Sequence, residues 1–132
     1  MNKVVLFASV CAICACFSVS ASAGTCNGGV VVTGQQNNHE YCRSSTAMPW
    51  WAAFQWCQEQ GRHLVTLQEA CVDWMGATGN NACPNLVIGE DKWIWTANPY
   101  SSSHAYSVRL NSDYVYYYPR NGSGGNGYAL CF

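Results

Sequence analysis

Hydrophobic positions along this chain change their period several times, and each change marks an element. The first 23 residues carry Lys3 near the start, an apolar stretch from Val4 to Phe17, and small residues that end in Ala21-Ser22-Ala23. That layout reads as a secretory leader cleaved after Ala23, which leaves a mature chain from Gly24 to Phe132. Gly28 to Thr33 is then a β-branched run, followed by the polar stretch Gly34 to Asn38 and by His39-Glu40-Tyr41-Cys42. The pattern predicts a hairpin over 26–42 with Cys26 and Cys42 at its base. From Pro49 the period becomes helical: Trp50, Ala53, Phe54 and Cys57 fall at i, i+3, i+4 and i+7, proline suits a first turn, and Gly61 suits the end. Thr66 stands three residues before Glu69, a capping box that opens a second helix from Leu67 to about Met75, where Gly76 to Asn81 breaks it. Beyond it, Lys92 to Thr96, Ala105 to Leu110, Tyr114 to Tyr118 and Tyr128 to Phe132 are aromatic and β-branched runs between Asn, Ser, Gly and Pro turns. Two short helices ahead of a run of antiparallel strands predict a single α+β domain over 24–132.

Composition then restricts the partners. Only 10% of the 132 residues are charged and the formal net charge is -1, so there is no basic field to hold a nucleic acid. Outside the leader no apolar run reaches the roughly 18 residues of a membrane span. Of the nine cysteines, Cys11, Cys14 and Cys16 fall in the leader. There the Cys11-Ala12-Ile13-Cys14 spacing reads as apolar filler, and the Ala-x-Ala ending fits better than a lipoprotein box ending at Cys16. Cys26, Cys42, Cys57, Cys71, Cys83 and Cys131 remain, an even number that in an exported chain implies three disulfides with every pairing open. Cys71 and Cys83 stand where a bridge would pin the loop after the second helix back onto it. None of the six stands in a Cys-x-x-Cys pair or beside a histidine at ligand spacing, so neither a structural metal nor another cofactor is expected.

The segment Met48 to Glu69 resembles the two-helix half of a C-type lectin-like domain, with Trp50, Ala53, Cys57, Gly61 and Leu64 falling in order on the family pattern Trp-x-x-Ala-x-x-x-Cys-x-x-x-Gly-x-x-Leu. Trp93-Ile94-Trp95 is similar to the family's Trp-Ile-Gly strand, with Trp95 in place of glycine, and Ala129-Leu130-Cys131-Phe132 to its closing strand. The resemblance implies a C-type lectin-like fold in which Cys57 joins Cys131 and, in the long form, Cys26 joins Cys42; Cys71 and Cys83 are then left to each other. Sugar-binding members carry Glu-Pro-Asn or Gln-Pro-Asp in a long loop and Trp-Asn-Asp on the next strand, because calcium requires several oxygen ligands. This chain has Ala97-Asn98-Pro99-Tyr100 and Val115-Tyr116-Tyr117-Tyr118 instead, and too few residues between Trp95 and Tyr114 for the long loop. Calcium-dependent sugar binding is not expected.

Candidate chemistry points to contact rather than catalysis. His39, His63 and His104 lack a neighbouring nucleophile arrangement and read as solvated or locally hydrogen-bonded, while Glu90 and Asp91 are adjacent and would diverge in an extended segment. An enzyme is not expected. Seven of the eight tyrosines lie in the last third, interleaved with Ser, Asn and His. Tyr offers broad amphipathic contact at low rotamer entropy and Ser and Asn adapt to polar partners, as in antibody paratopes. Along Tyr114 to Tyr118 the odd and even positions face opposite ways, and one face is expected to pack inward. The expected contact residues are Tyr100, His104, Tyr106, Tyr114, Tyr116, Tyr118 and Arg120, whereas the six tryptophans are expected to pack the core and its rim. Asn121-Gly122-Ser123 is a glycosylation sequon in a eukaryotic host. Together these readings describe a secreted or surface module that recognises a protein or carbohydrate without calcium, with a structural subunit of a surface appendage as the alternative.

Overall fold

The β-branched run Gly29–Thr33 forms strand β1, which pairs antiparallel with β2 (Glu40–Met48) across the turn at 34–38. In the computed structural model, which describes residues 24–122 and 127–132, this hairpin leads into helix α1 (Trp50–Glu59) and the single turn α2 (Leu67–Ala70). Four strands follow: β3 (Trp93–Pro99), β4 (His104–Arg109), β5 (Tyr114–Pro119) and β6 (Gly127–Cys131). The leader expected at 1–23, and Ser123 of the sequon with the glycine-rich stretch to Asn126, lie outside the described residues.

All six strands make one sheet in the order β1-β2-β6-β3-β4-β5. The expectation of a purely antiparallel sheet is corrected at one seam, because β6 runs parallel to β3 at Ile94 and Tyr128. The cause is topological: the last strand enters between the two halves of the sheet antiparallel to β2, and β3 lies on its other side. The register between β2 and β6 slips between Arg43 and Ala47. There the buried Ser44 hydroxyl accepts from the Ala129 N–H at 2.9 Å and donates to the Thr46 carbonyl at 2.8 Å, replacing the ladder partners lost at the bulge.

Both faces of the central strands are covered, so these strands read as continuous apolar runs rather than alternating ones. On one face α1 buries Trp50, Ala53 and Cys57 against Trp95, Ala105, Ala129 and Cys131. On the other, Leu67 and Ala70 of α2 and the segment with Val87 and Ile88 cover Ile94, Val108, Val115 and Leu130. The buried indoles keep their N–H groups satisfied: Trp50 donates to the Thr96 carbonyl and Trp95 to the Met48 carbonyl, each at 2.8 Å. Helix α1 ends in a Schellman arrangement, in which Arg62 N–H bonds the Cys57 carbonyl and Gly61, at φ 69°, bonds that of Gln58.

The second helix is shorter than its pattern predicts. Its capping box is present, with Glu69 N–H on the Thr66 hydroxyl and the Glu69 carboxylate on the Thr66 N–H. Yet the helix stops at Ala70, and Cys71 turns extended. A bridge from Cys71 to Leu86 and the bond from the Val87 N–H to the Ala70 carbonyl take the backbone groups that a further helical turn would have used. Three disulfides staple the domain: Cys26–Cys42 and Cys57–Cys131, the pairs that the resemblance implies, and Cys71–Cys83, the pair then left over.

The sequence separation across Cys57–Cys131 is 74 residues, against 16 and 12 for the other two. On the chain-entropy model the long loop contributes about 4 kcal/mol and the short ones about 3 kcal/mol each. Replacing Cys57 and Cys131 together by alanine is expected to lower the urea midpoint more than either of the other paired replacements; an equal or smaller loss would reject the loop-length account. Gly127 offers a packing test, since a Cβ there would lie 3.1 Å from Cδ1 of the buried Trp95 ring. Gly127→Ala should therefore destabilise by about 1–3 kcal/mol in the same assay.

Candidate functional site

Strands β4 and β5 pair residue for residue from His104 opposite Pro119 to Arg109 opposite Tyr114. That register sets Tyr106 beside Tyr117 on one face, and Tyr118, Tyr116 and Tyr114 beside Ala105, Ser107 and Arg109 on the other. The seven expected contact residues therefore do not share one face, and the structure sorts them into three groups.

The first group surrounds Tyr100, which leaves the end of β3 and is 46% exposed. Its ring lies flat on that of Tyr117, with centroids 3.6 Å apart and planes within 3°. Tyr106 meets Tyr100 edge-on at 5.4 Å, and Trp74 meets Tyr106 at 5.1 Å. The second group is Tyr114 and Tyr118, which present their edges to Trp93 at 5.6 Å each and, with Arg109, Asn80 and Ser112, line a cleft of about 440 Å³. Tyr118, expected as a contact residue, thus packs against the rings of Trp93 and Trp95. The third group is His104 and Arg120, at the Pro119 end of the β4–β5 pair, where they meet Trp51.

Tyr116 joins the first two groups. It stacks on Tyr117 at 4.7 Å and 10°, and on Tyr114 at 6.0 Å and 24°. Sequence neighbours in a strand point to opposite faces, so a stacked pair at 116 and 117 requires both rings to swing round the strand's outer side, which is available because β5 is the last strand of the sheet. The result is a ladder of rings, Tyr100, Tyr117, Tyr116 and Tyr114, wrapped over the sheet edge, with Tyr116 itself exposed. Only part of that edge is shielded: Val115 exchanges both backbone bonds with Gly79. Pro119 falls next but one along the same outward alternation, where its missing N–H costs no ladder bond.

The protonation of these phenols follows from their neighbours. A side-chain hydrogen bond with Tyr100, reinforced by that ring's charge, raises Tyr117 above the ordinary value of 10.0. Burial, and then the charges of Tyr114 and Tyr116, raise Tyr118. Tyr41, deep in the core, is raised first by burial. Its hydroxyl donates to the Glu69 carbonyl at 3.1 Å.

The histidines are locally engaged. His63 contacts the Glu69 carboxylate at 2.8 Å, His104 contacts the Ser103 hydroxyl at 2.8 Å, and His39 stacks on Phe132 at 3.8 Å. Two residues that sequence reasoning passed over belong to the site. Tyr117 is not among the expected contact residues, yet it is the centre of the ladder. Trp51 is expected with the other tryptophans in the core and its rim, yet it is 59% exposed. The signal for Trp51 was present in the helical period, since it lies roughly 100° round the helix from Trp50 and off the stripe of Ala53 and Cys57.

Comparison of the chain with models of known protein families gives no match, and comparison with curated proteins gives none either. The site's own geometry therefore carries the functional argument.

All three raised phenols are neutral-form groups. A tyrosine whose folded pKa exceeds its unfolded value adds stability that is complete below pH 10 and is lost as pH rises through the folded value. Absorbance titration at 295 nm is expected to show Tyr41, Tyr117 and Tyr118 ionising above pH 10, with Tyr41 ionising together with unfolding. Tyr100→Phe should bring Tyr117 back toward its ordinary value; no movement would remove the proposed cause.

Proposed function

We propose that this chain is an exported recognition module of C-type lectin-like architecture that binds a protein or carbohydrate ligand without calcium through the tyrosine-rich edge of its sheet. Support for the architecture comes from the order of the elements: hairpin, helix, short helix, strands, and a closing strand bridged back to the first helix by Cys57–Cys131. Three disulfides in so small a chain suit an oxidising compartment, consistent with reading 1–23 as a secretory leader. No helix among the described residues is long and apolar enough to cross a membrane.

The observation that carries the reading is the ladder itself. Phenol rings that only capped a small sheet would lie against its core, as Tyr41 does. Tyr100 and Tyr116 instead stand outward, each held in place by a flat contact with Tyr117. Rings fixed before binding lose little entropy on contact, and exposed Tyr is enriched among interface residues whose truncation costs more than about 1 kcal/mol. Ser101, Ser102 and Ser103 flank them on the loop before β4 and provide adaptable hydrogen bonds. The absence of the family's calcium-ligand motifs from the sequence fits a calcium-free mode.

The test is a screen of the mature chain against glycan and protein arrays in buffer with chelator. Binding is expected to persist there and to weaken about tenfold or more in Tyr100→Ala and Tyr116→Ala, both of which leave buried groups untouched. Binding that requires calcium, or that ignores both substitutions, would sink the reading. Obligate self-association by size-exclusion chromatography would favour a structural subunit instead.

A further inference from the structure

We infer that the cleft between the start of α1 and the β4–β5 end, lined by Trp51, Ser102, Ser103, His104, Arg120 and Asn121, is a subsite for the carboxylate of an acidic sugar. The inference rests on the reading of the chain as a recognition module, but not on the tyrosine ladder being its contact surface. The cleft holds about 390 Å³, room for one or two sugar rings, and no carboxylate among the described residues lines it.

Arg120 supplies the charge. The three other arginines are engaged elsewhere: Arg43 with Glu90 at 2.5 Å, Arg109 with Asp91 at 3.1 Å, and Arg62 with the carbonyls of Gly24, Thr25 and Glu40. The Arg120 guanidinium has no carboxylate partner among the described residues. It lies 4.7 Å from the Trp50 ring centre and 6.0 Å from that of Trp51. One terminal nitrogen donates to the Ser101 carbonyl at 3.3 Å, and Nε is buried without a hydrogen-bond partner among the described residues. Trp50 is pinned in turn by its bond to the Thr96 carbonyl and by stacking on Phe54 at 5.2 Å. The cation is therefore held on a fixed ring before any ligand arrives, and its planar fork matches a carboxylate.

The remaining wall selects the scaffold that carries the anion. Trp51 meets Trp50 edge-on at 4.6 Å and leaves most of its own surface to solvent, an apolar flat face against which the C–H side of a sugar ring can lie. The Ser102 and Ser103 hydroxyls and the His104 imidazole line the same cleft and are donors and acceptors suited to ring hydroxyls. A phosphorylated peptide would bring about two negative charges, and a single arginine suits the one charge of a carboxylate better.

Two-dimensional NMR of the mature chain, reading the Trp51 indole and Arg120 Nε–H signals, tests this with sialyllactose, lactose and sodium sulfate as probes. Sialyllactose is expected to shift both signals at millimolar concentration, with lactose binding about tenfold or more weakly. Arg120→Gln should weaken sialyllactose about tenfold, and Trp51→Ala comparably, while the rest of each spectrum stays folded. Met75→Ala, at a 94% exposed side chain outside both the ladder and the cleft, should leave sialyllactose binding unchanged. Equal binding of lactose, an identical response to sulfate, or no shift at these two signals would overturn the assignment. Loss of sialyllactose binding in Tyr116→Ala alone would overturn the cleft while leaving the ladder reading intact.

Discussion

The last strand of the chain is the middle of the sheet, and everything else is arranged around that insertion. Strand β6 pairs with β2 on one side and β3 on the other, and Cys131 at its end is bonded to Cys57 in α1. Until Ala129, Leu130 and Cys131 are in place, the hairpin at the start of the chain and the β3–β5 meander have no common ladder, and both buried clusters lack a wall. The segment between the helices uses the same seam: Val65 N–H bonds the Leu130 carbonyl, and Phe132 N–H bonds that of His63. Loop-closure entropy makes such distant pairing the costly step of assembly, and the covalent bridge removes much of that cost from the unfolded chain.

Because both faces of the central strands are buried, side chains able to meet a partner are displaced to the outer strand and its loops. The turn after β3 carries Tyr100 and the three serines, the outer strand carries the ring ladder, and its exit carries Arg120. The two proposed contact regions adjoin one another there, with His104 touching the ladder through Tyr117 at 6.0 Å and lining the cleft beside Arg120. Rigidity in this region comes from ring stacking and from backbone carbonyls that receive indole N–H groups. A surface of this kind is set before it is met, which limits the entropy lost on association.

Local features were readable along the chain because each depends on nearby residues. Pro49, the Trp50 to Cys57 stripe and Gly61 define α1 nearly to the residue. Thr66 and Glu69 define where α2 begins, and the aromatic runs define the strands within one to three residues. What helical propensity could not reveal was the end of α2, since Cys71 is drawn out of the helix by backbone partners near Leu86 that lie far along the chain. Nor could alternation reveal that Tyr116 and Tyr117 stack together, because that requires β5 to be the sheet's outer strand.

The sequence by itself therefore determined the element types, their order, the leader-like start, the parity of thiols and the concentration of phenols near the end. Period, capping chemistry and composition act over a few residues and need no knowledge of the fold. Only the tertiary structure decided the central place of β6, its parallel seam with β3, and the division of the expected contact residues among an edge ladder, a tryptophan-backed cleft and the Trp51–Arg120 cleft. Those outcomes depend on which distant backbone groups remain to be paired and which ring finds a free side, and both are settled by packing across the chain.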